Sequence, residues 1–203
     1  MILKTSLKHG RYGYYSYRIH KIKLETLCNG YTSLSEYLKK MLKDCPDEYF
    51  QEGPRSSVLK FKVDADIKHL NHEIEIFARL GLDLRYYDTA HMNVQMFMLS
   101  YDSKTIAIEV PLWILPEEYE KFNELFDSKL PLTGHIDVLR IEDGKIWIWD
   151  YKPNAHREKY AMTQVYFYAL MLSKRTGIPL EDFRCGYFDD KDTYIFNPSK
   201  INL

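Results

Sequence analysis

The chain has little cysteine, no long apolar run and almost no net charge, and each shortage excludes something. Only Cys28, Cys45 and Cys185 are present, an odd number at wide spacing. That rules out a disulfide scaffold and fits a reducing compartment. No apolar stretch is long enough to span a bilayer, and residues 1–10 lack the charged-then-apolar pattern of a secretion signal. The expectation is a soluble, intracellular, cytoplasmic protein with no membrane partner. There is no glycine-rich loop to cradle a nucleotide phosphate, no internal repeat, no low-complexity segment and no linker. With 203 residues the chain fits one domain large enough for a substantial core. Lysine and arginine (28) nearly balance aspartate and glutamate (29), so any electrostatic specialisation has to lie in how charge is distributed.

What is present is concentrated in residues 132–168. Asp143-Gly144 separates two runs rich in β-branched and aromatic residues, 132–142 and 145–152, which is a strong two-residue hairpin signal. If Glu142 faces Lys145, the register follows by arithmetic. Ile141 meets Ile146, Leu139 meets Ile148, Asp137 meets Asp150 and His135 meets Lys152. Facing side chains lie about 4.5–5.5 Å apart at Cβ, where like charges repel, so a cation between the two aspartates would turn a liability into a binding site. Alternation along the strand puts Asp150 and Lys152 on one face and Trp147, Trp149 and Tyr151 on the other. Downstream, residues 157–175 read as a helix closed by Gly177 and Pro179, with Gln164 and Tyr168 one turn apart. Each piece has an ordinary reading: Asp150 and Lys152 as a surface ion pair, and Tyr168 as core alongside Val165 and Leu172. Gln164 is harder to dismiss, because a polar side chain on that stripe needs partners.

Taken together, Gly134-His135-Ile136-Asp137, Asp150-Tyr151-Lys152 and Gln164 with Tyr168 resemble the PD-(D/E)xK nucleases. Within them they are similar to the branch holding the nuclease domains of RecB-type and AddB-type helicase-nucleases and the CRISPR adaptation nucleases. The resemblance covers 106–198, with 107–112 similar to the strand that precedes the motif. It implies that Asp137, Asp150 and the Tyr151 carbonyl bind Mg²⁺ or Mn²⁺ and that Lys152 is the catalytic cation, supported by Gln164 and Tyr168. The implied reaction is metal-assisted phosphodiester hydrolysis, by exonuclease or endonuclease action. The implied substrate is DNA, single-stranded or at ends, with protein partners in recombination, repair or replication. A non-catalytic nucleic-acid-binding or assembly subunit on the same fold is the alternative, and the intact Asp137, Asp150 and Lys152 speak against it. Relatives often add a metal-ligating histidine from a helix ahead of the sheet in a context like His72-Glu73, which makes His72 the candidate, with His69 and His135 as competitors. Glu109 is either a further acid near the metals or an edge charge. Many relatives carry an iron–sulfur cluster, and Cys45-Pro46 looks like its upstream member. Only Cys185 follows the helix, whereas a cluster needs about four thiolates, so no cluster is expected and Cys45 reads as an ordinary buried thiol.

The charge asymmetry lies at the start. Lys4, Lys8, Arg11, Arg18, Lys21 and Lys23 precede the first acid, Glu25, and Tyr12, Tyr14, Tyr15 and Tyr17 are interleaved with them. Cations attract phosphates and tyrosine rings stack on unpaired bases, which makes Arg11, Arg18, Lys21 and Lys23 candidate nucleic-acid contacts. The same alternation equally suits a strand in a sheet. Residues 1–62 read as a basic, tyrosine-rich and partly helical extension to a core of 63–203. Helices are expected at 33–42 and 66–80, two or three strands within 82–113, a short helix at 116–126 and a closing hairpin from 183–188 and 193–196. The fold class is α/β, a central mixed sheet flanked by helices.

Overall fold

The computed structural model describes residues 1–10 and 13–201. Asp143 and Gly144 have φ of 49° and 68°, both positive as a tight primed hairpin turn requires. They join β5 (Leu132–Glu142) to β6 (Lys145–Tyr151). Glu142 pairs with Lys145, Ile141 with Ile146, Leu139 with Ile148 and Val138 with Trp149, the register expected from the sequence.

Around this hairpin the other strands are β1 (Ile2–Lys8), β2 (Tyr14–His20), β3 (Lys68–His69), β4 (Thr105–Ile114), β7 (Phe183–Phe188) and β8 (Thr193–Phe196). They form one eight-stranded sheet in the order β1-β2-β4-β5-β6-β7-β8-β3. Among the described strands only β6 and β7 run parallel; such a pair needs a long crossover, and α6 (Ala161–Thr176) supplies it. The fold is thus α/β with a mixed sheet. One side carries the larger core, where α6 packs on β5 and β6, and α2 (Thr32–Met41) packs on α6 and β4. The other carries α3 (Glu73–Leu84) and α4 (Ala90–Tyr101), packed on Ile108, Val138, Trp149 and Tyr151. Among the described residues no helix is long and apolar enough to cross a membrane.

Two expectations need correction. Residues within 82–113 are not all strands: 90–101 is α4, started by Thr89, whose Oγ1 accepts the Met92 N–H. Its alternating Asn93-Val94-Gln95-Met96 reads as a strand only while burial on one side is assumed. Asn93, Val94 and Gln95 are all buried. The helix expected at 66–80 begins seven residues late, because Lys68 and His69 pair with Ile195 and Tyr194 as a sheet edge. His72 then caps α3, its Nδ1 accepting from the Ile74 N–H while Glu75 accepts from the His72 N–H. Of the two readings open for the N-terminal segment, the strand is the one observed: β1 and β2 pair antiparallel, Arg18 and Ile19 pair with Ile108 and Ala107 of β4, and α1 (Lys21–Leu27) follows.

Candidate active site

Three adjacent strands bring three acids to one level of the sheet. On β4, Glu109 lies between the pairs Ile108–Val138 and Val110–Ile136, level with Asp137 of β5. The regular β5–β6 ladder ends at Val138–Trp149. One residue further, the Asp137 carboxylate itself accepts the Tyr151 N–H at 2.9 Å. The hairpin therefore opens where the sequence places Asp137 against Asp150. Glu109 has φ of 54°, a left-handed conformation that costs a non-glycine residue about 1–3 kcal/mol and persists only where the surroundings impose it. Its carboxylate accepts from Gln95 Nε2 at 2.7 Å.

Electrostatics at this level are unfavourable without a cation. Burial raises the Asp137 pKa well above the ordinary carboxylate range, and the charges of Asp150 and Glu109 push it further. Burial likewise raises Glu109, with Asp150 adding to the effect. The cation in direct contact with these acids is Lys152, whose ammonium lies 2.7 Å from Asp150 Oδ2, while Arg18 and Arg55 lower Glu109 by their charge alone. Burial alone would pull the Lys152 pKa down, but Asp150 and Asp137 outweigh it and hold the ammonium above its usual range.

Asp150 is oriented from α6. Gln164 Nε2 donates to Asp150 Oδ1 at 3.1 Å and to the Tyr168 hydroxyl at 2.7 Å, so the polar residue on an otherwise buried stripe has its partners, as it must. Tyr168 presses against β5 at Gly134, where a Cβ would overlap its ring and Ser56 Oγ. The Gly134 and Asp137 of one motif thus serve different ends, close approach of a positioning helix and a site carboxylate. Trp147, Trp149 and Tyr151 lie on the opposite face with α3 and α4, as alternation requires.

The histidine that reaches the acids was not among the sequence candidates. His91, in the first turn of α4, has Nε2 3.9 Å from Asp137 Oδ2 and packs edge-on against Tyr151. Burial lowers its pKa, favouring the neutral imidazole that a metal needs. Its signal was hidden because 90–101 reads as strand. His72 is placed elsewhere: Nδ1 caps α3 and Nε2 lies 3.7 Å from Glu142, at the turn end of the hairpin. His69 pairs with Asp192, and His135 bonds His9. Of the N-terminal cations, Arg18 lies close enough to Glu109 for its charge to be felt there and donates to Met92 Sδ. Lys21 is exposed, and Arg11 lies outside the described residues. Lys23 is committed to the fold: its ammonium donates to the Leu99 and Asp102 carbonyls at the end of α4, at 2.6 and 2.5 Å.

A family model for the PD-(D/E)XK nuclease superfamily matches residues 17–201. The chain belongs to that superfamily. Comparison with curated proteins and with solved structures gave no match. The mixed sheet with flanking helices is the restriction-endonuclease-like arrangement of these enzymes, which are nucleases that use divalent metals. The donor set fits such a metal. Carboxylates at one level, a backbone carbonyl between Asp150 and Lys152 and a neutral imidazole make an oxygen-rich site with one nitrogen, a donor set that suits a divalent metal.

Proposed function

We propose that this chain is a divalent-metal-dependent deoxyribonuclease, acting inside the cell on single-stranded DNA or DNA ends during recombination, repair or replication. Its plan would be that of the RecB-type and AddB-type nuclease domains and the CRISPR adaptation nucleases. The observation that carries the reading is the placement of Glu109, Asp137 and Asp150 on three adjacent strands, with Lys152 against Asp150 and two of the acids held above their ordinary pKa. Three carboxylates placed so close gain stability from a cation and lose it without one.

In this reading Asp137, Asp150 and the Tyr151 carbonyl hold Mg²⁺ or Mn²⁺, with His91 in the place the sequence offered to His72, and Glu109 beside them. The bound ion supplies a water of lowered pKa and neutralises charge on the phosphate. Lys152, partly buried and protonated, orients the attacking water and stabilises the negative charge that develops on the phosphate oxygens. Gln164 and Tyr168 position Asp150. Arg18 on β2 and the exposed Lys21 at the start of α1, with Tyr14 exposed to 75 %, offer phosphate attraction and a stacking surface for unpaired bases. A gel assay with end-labelled linear and circular single-stranded DNA, with and without Mn²⁺, tests this directly. Metal-dependent cleavage is expected, and cleavage of circles would mark an endonuclease. A folded protein that cuts neither DNA under Mg²⁺ or Mn²⁺ would defeat the proposal.

A further inference from the structure

Away from these acids, on the other side of His135, a histidine, a cysteine and an aspartate meet at a point the nuclease reading does not use. His9 follows β1; Cys45 and Asp47 flank Pro46 in a tight turn closed by the Asp47 N–H donating to the Cys45 carbonyl at 2.9 Å. His9 Nε2 lies 3.0 Å from Asp47 Oδ1 and 3.7 Å from Cys45 Sγ. One ligand atom from each of the three residues lies within 4.8 Å of the others. We propose that His9, Cys45 and Asp47 form a second metal site, one for Zn²⁺.

Donor chemistry and spacing both favour zinc. Zn–N of about 2.0–2.1 Å and Zn–S of about 2.3 Å place tetrahedral ligand atoms about 3.3–3.8 Å apart. The observed 3.0 and 3.7 Å then need adjustments of only a few tenths of an ångström. A nitrogen, a thiolate and a carboxylate select zinc over the hard ions that suit the oxygen-rich end of the sheet. Three protein ligands leave a fourth position for solvent, and the site has a way in, since the Asp47 side chain is 49 % exposed while His9 is 1 % exposed. The His9 ring is already fixed. It stacks on Phe50 with centroids 3.8 Å apart, and its other nitrogen, Nδ1, lies 2.7 Å from His135 Nε2. Zinc-bound histidines commonly have their second nitrogen anchored in this way. With the metal on Nε2, Nδ1 keeps the proton and donates to His135. The surroundings are also negative: besides burial, the charges of Asp47, Glu48 and Asp44 push the Cys45 thiol up to about 12, a potential that a divalent cation relieves.

Cobalt is a spectroscopic stand-in for zinc, and the full chain carrying Asp137→Asn and Asp150→Asn removes the competing acids. Titration with Co²⁺ is expected to give one equivalent with a near-ultraviolet thiolate-to-cobalt absorption, displaced by Zn²⁺. That absorption should vanish in Cys45→Ser and need more Co²⁺ to saturate in Asp47→Asn. If Cys45→Ser does not fold, the melting temperature of the Asp137→Asn, Asp150→Asn chain is the second measurement. It should rise with Zn²⁺, because a ligand of the folded state stabilises it, and the rise should be lost in Asp47→Asn. Absence of the thiolate absorption in folded protein, its persistence in Cys45→Ser, or a melting temperature indifferent to Zn²⁺ would overturn the site. None of these readouts involves nucleic acid, so the site stands or falls apart from the nuclease reading.

Discussion

The two ends of the β5–β6 hairpin carry similar charges and treat them in opposite ways. At the turn end the fully buried Arg140 reaches Asp102 at 2.9 Å, Glu73 at 2.5 Å and Glu142 at 3.2 Å. Lys104 lies 2.8 Å from both Glu73 and Glu142, and His72 joins Glu142. Burial works against the charged form of Glu142, yet hydrogen bonds from His72 and Lys104 hold its pKa at about 2. At the open end the basic groups in direct reach of the acids are Lys152 and a histidine whose pKa is itself lowered, with Arg18 and Arg55 acting on Glu109 only by their charge. There Asp137 and Glu109 are raised instead. Where cations match the acids, a charge cluster fastens elements together; where they are short, it waits for a cation. Breaking one partner of the first should cost folding, and breaking one of the second should cost chemistry.

The largest effect is expected at the open end. Asp150→Asn removes a ligand charge and Lys152→Ala the cation beside the nucleophile. Each should lower the cleavage rate by at least about 10²–10⁴-fold, the range for removing a positioned catalytic group, with the circular dichroism spectrum retained. Divalent ions should raise the melting temperature of the native protein and much less that of Asp150→Asn. Full activity in either variant under Mg²⁺ would end the assignment of these residues.

Arg140→Met is the converse. It leaves Asp102 and Glu142 buried without their shared cation, and breaking a buried pair in this way costs about 3–5 kcal/mol. Urea denaturation should show that loss in the midpoint. Cleavage per folded molecule should be unchanged, and a variant that is stable but inactive would erase the distinction between the two ends.

Acid should unfasten the turn end before it affects the sheet. Glu142 has a folded pKa of about 2 against an ordinary 4.5, so its stabilisation is present above about 4.5 and is lost as pH falls toward 2. Melting temperature should therefore decline through that window, and the decline should be shallower in Glu142→Gln. An equal slope in both proteins would show that other carboxylates govern acid unfolding.

Legibility from sequence followed the distance between partners. The β5–β6 register was readable because Asp143-Gly144 fixes it locally, and Gln164 with Tyr168 because both lie one turn apart on one helix. His91 was not, because two buried flanks around 93–95 mimic the alternation of a half-buried strand. Glu109 was open between a further acid near the metals and an edge charge, and its left-handed backbone could not be read locally because it depends on neighbours in β5. The turn-end cluster was invisible: Arg140 meets Glu73 across 67 positions and Asp102 across 38, and nothing near any of them marks the pairing. Cys45 was read as an ordinary thiol because its partner His9 lies 36 positions away.

The histidines give a finer version of the comparison. His91→Ala removes a candidate ligand and should raise the Mn²⁺ concentration needed for half-maximal cleavage by about 10–100-fold, on the scale of lost metal-site contacts. The melting temperature without metal should stay nearly constant. His72→Ala removes a helix cap worth about 0.5–2 kcal/mol and a partner of Glu142, so it should lower the melting temperature and leave the Mn²⁺ requirement alone. Exchanged phenotypes would return the metal-site role to His72.

The smallest effect expected is electrostatic and lies on β2 and α1. Arg18 sits beside the acids and Lys21 is exposed, whereas Lys23 is tied to the Leu99 and Asp102 carbonyls. Replacing Arg18 and Lys21 with Gln should weaken binding of single-stranded DNA and flatten its dependence on salt. Each lost phosphate contact on a single strand reduces the slope of log K against log salt by about 0.7. Lys23→Gln should leave the slope unchanged and lower the melting temperature instead, because its donors satisfy carbonyls at a helix end. If Lys23→Gln flattens the slope as much as Arg18→Gln does, the strand passes over the end of α4, and the division of these cations between fold and ligand is wrong.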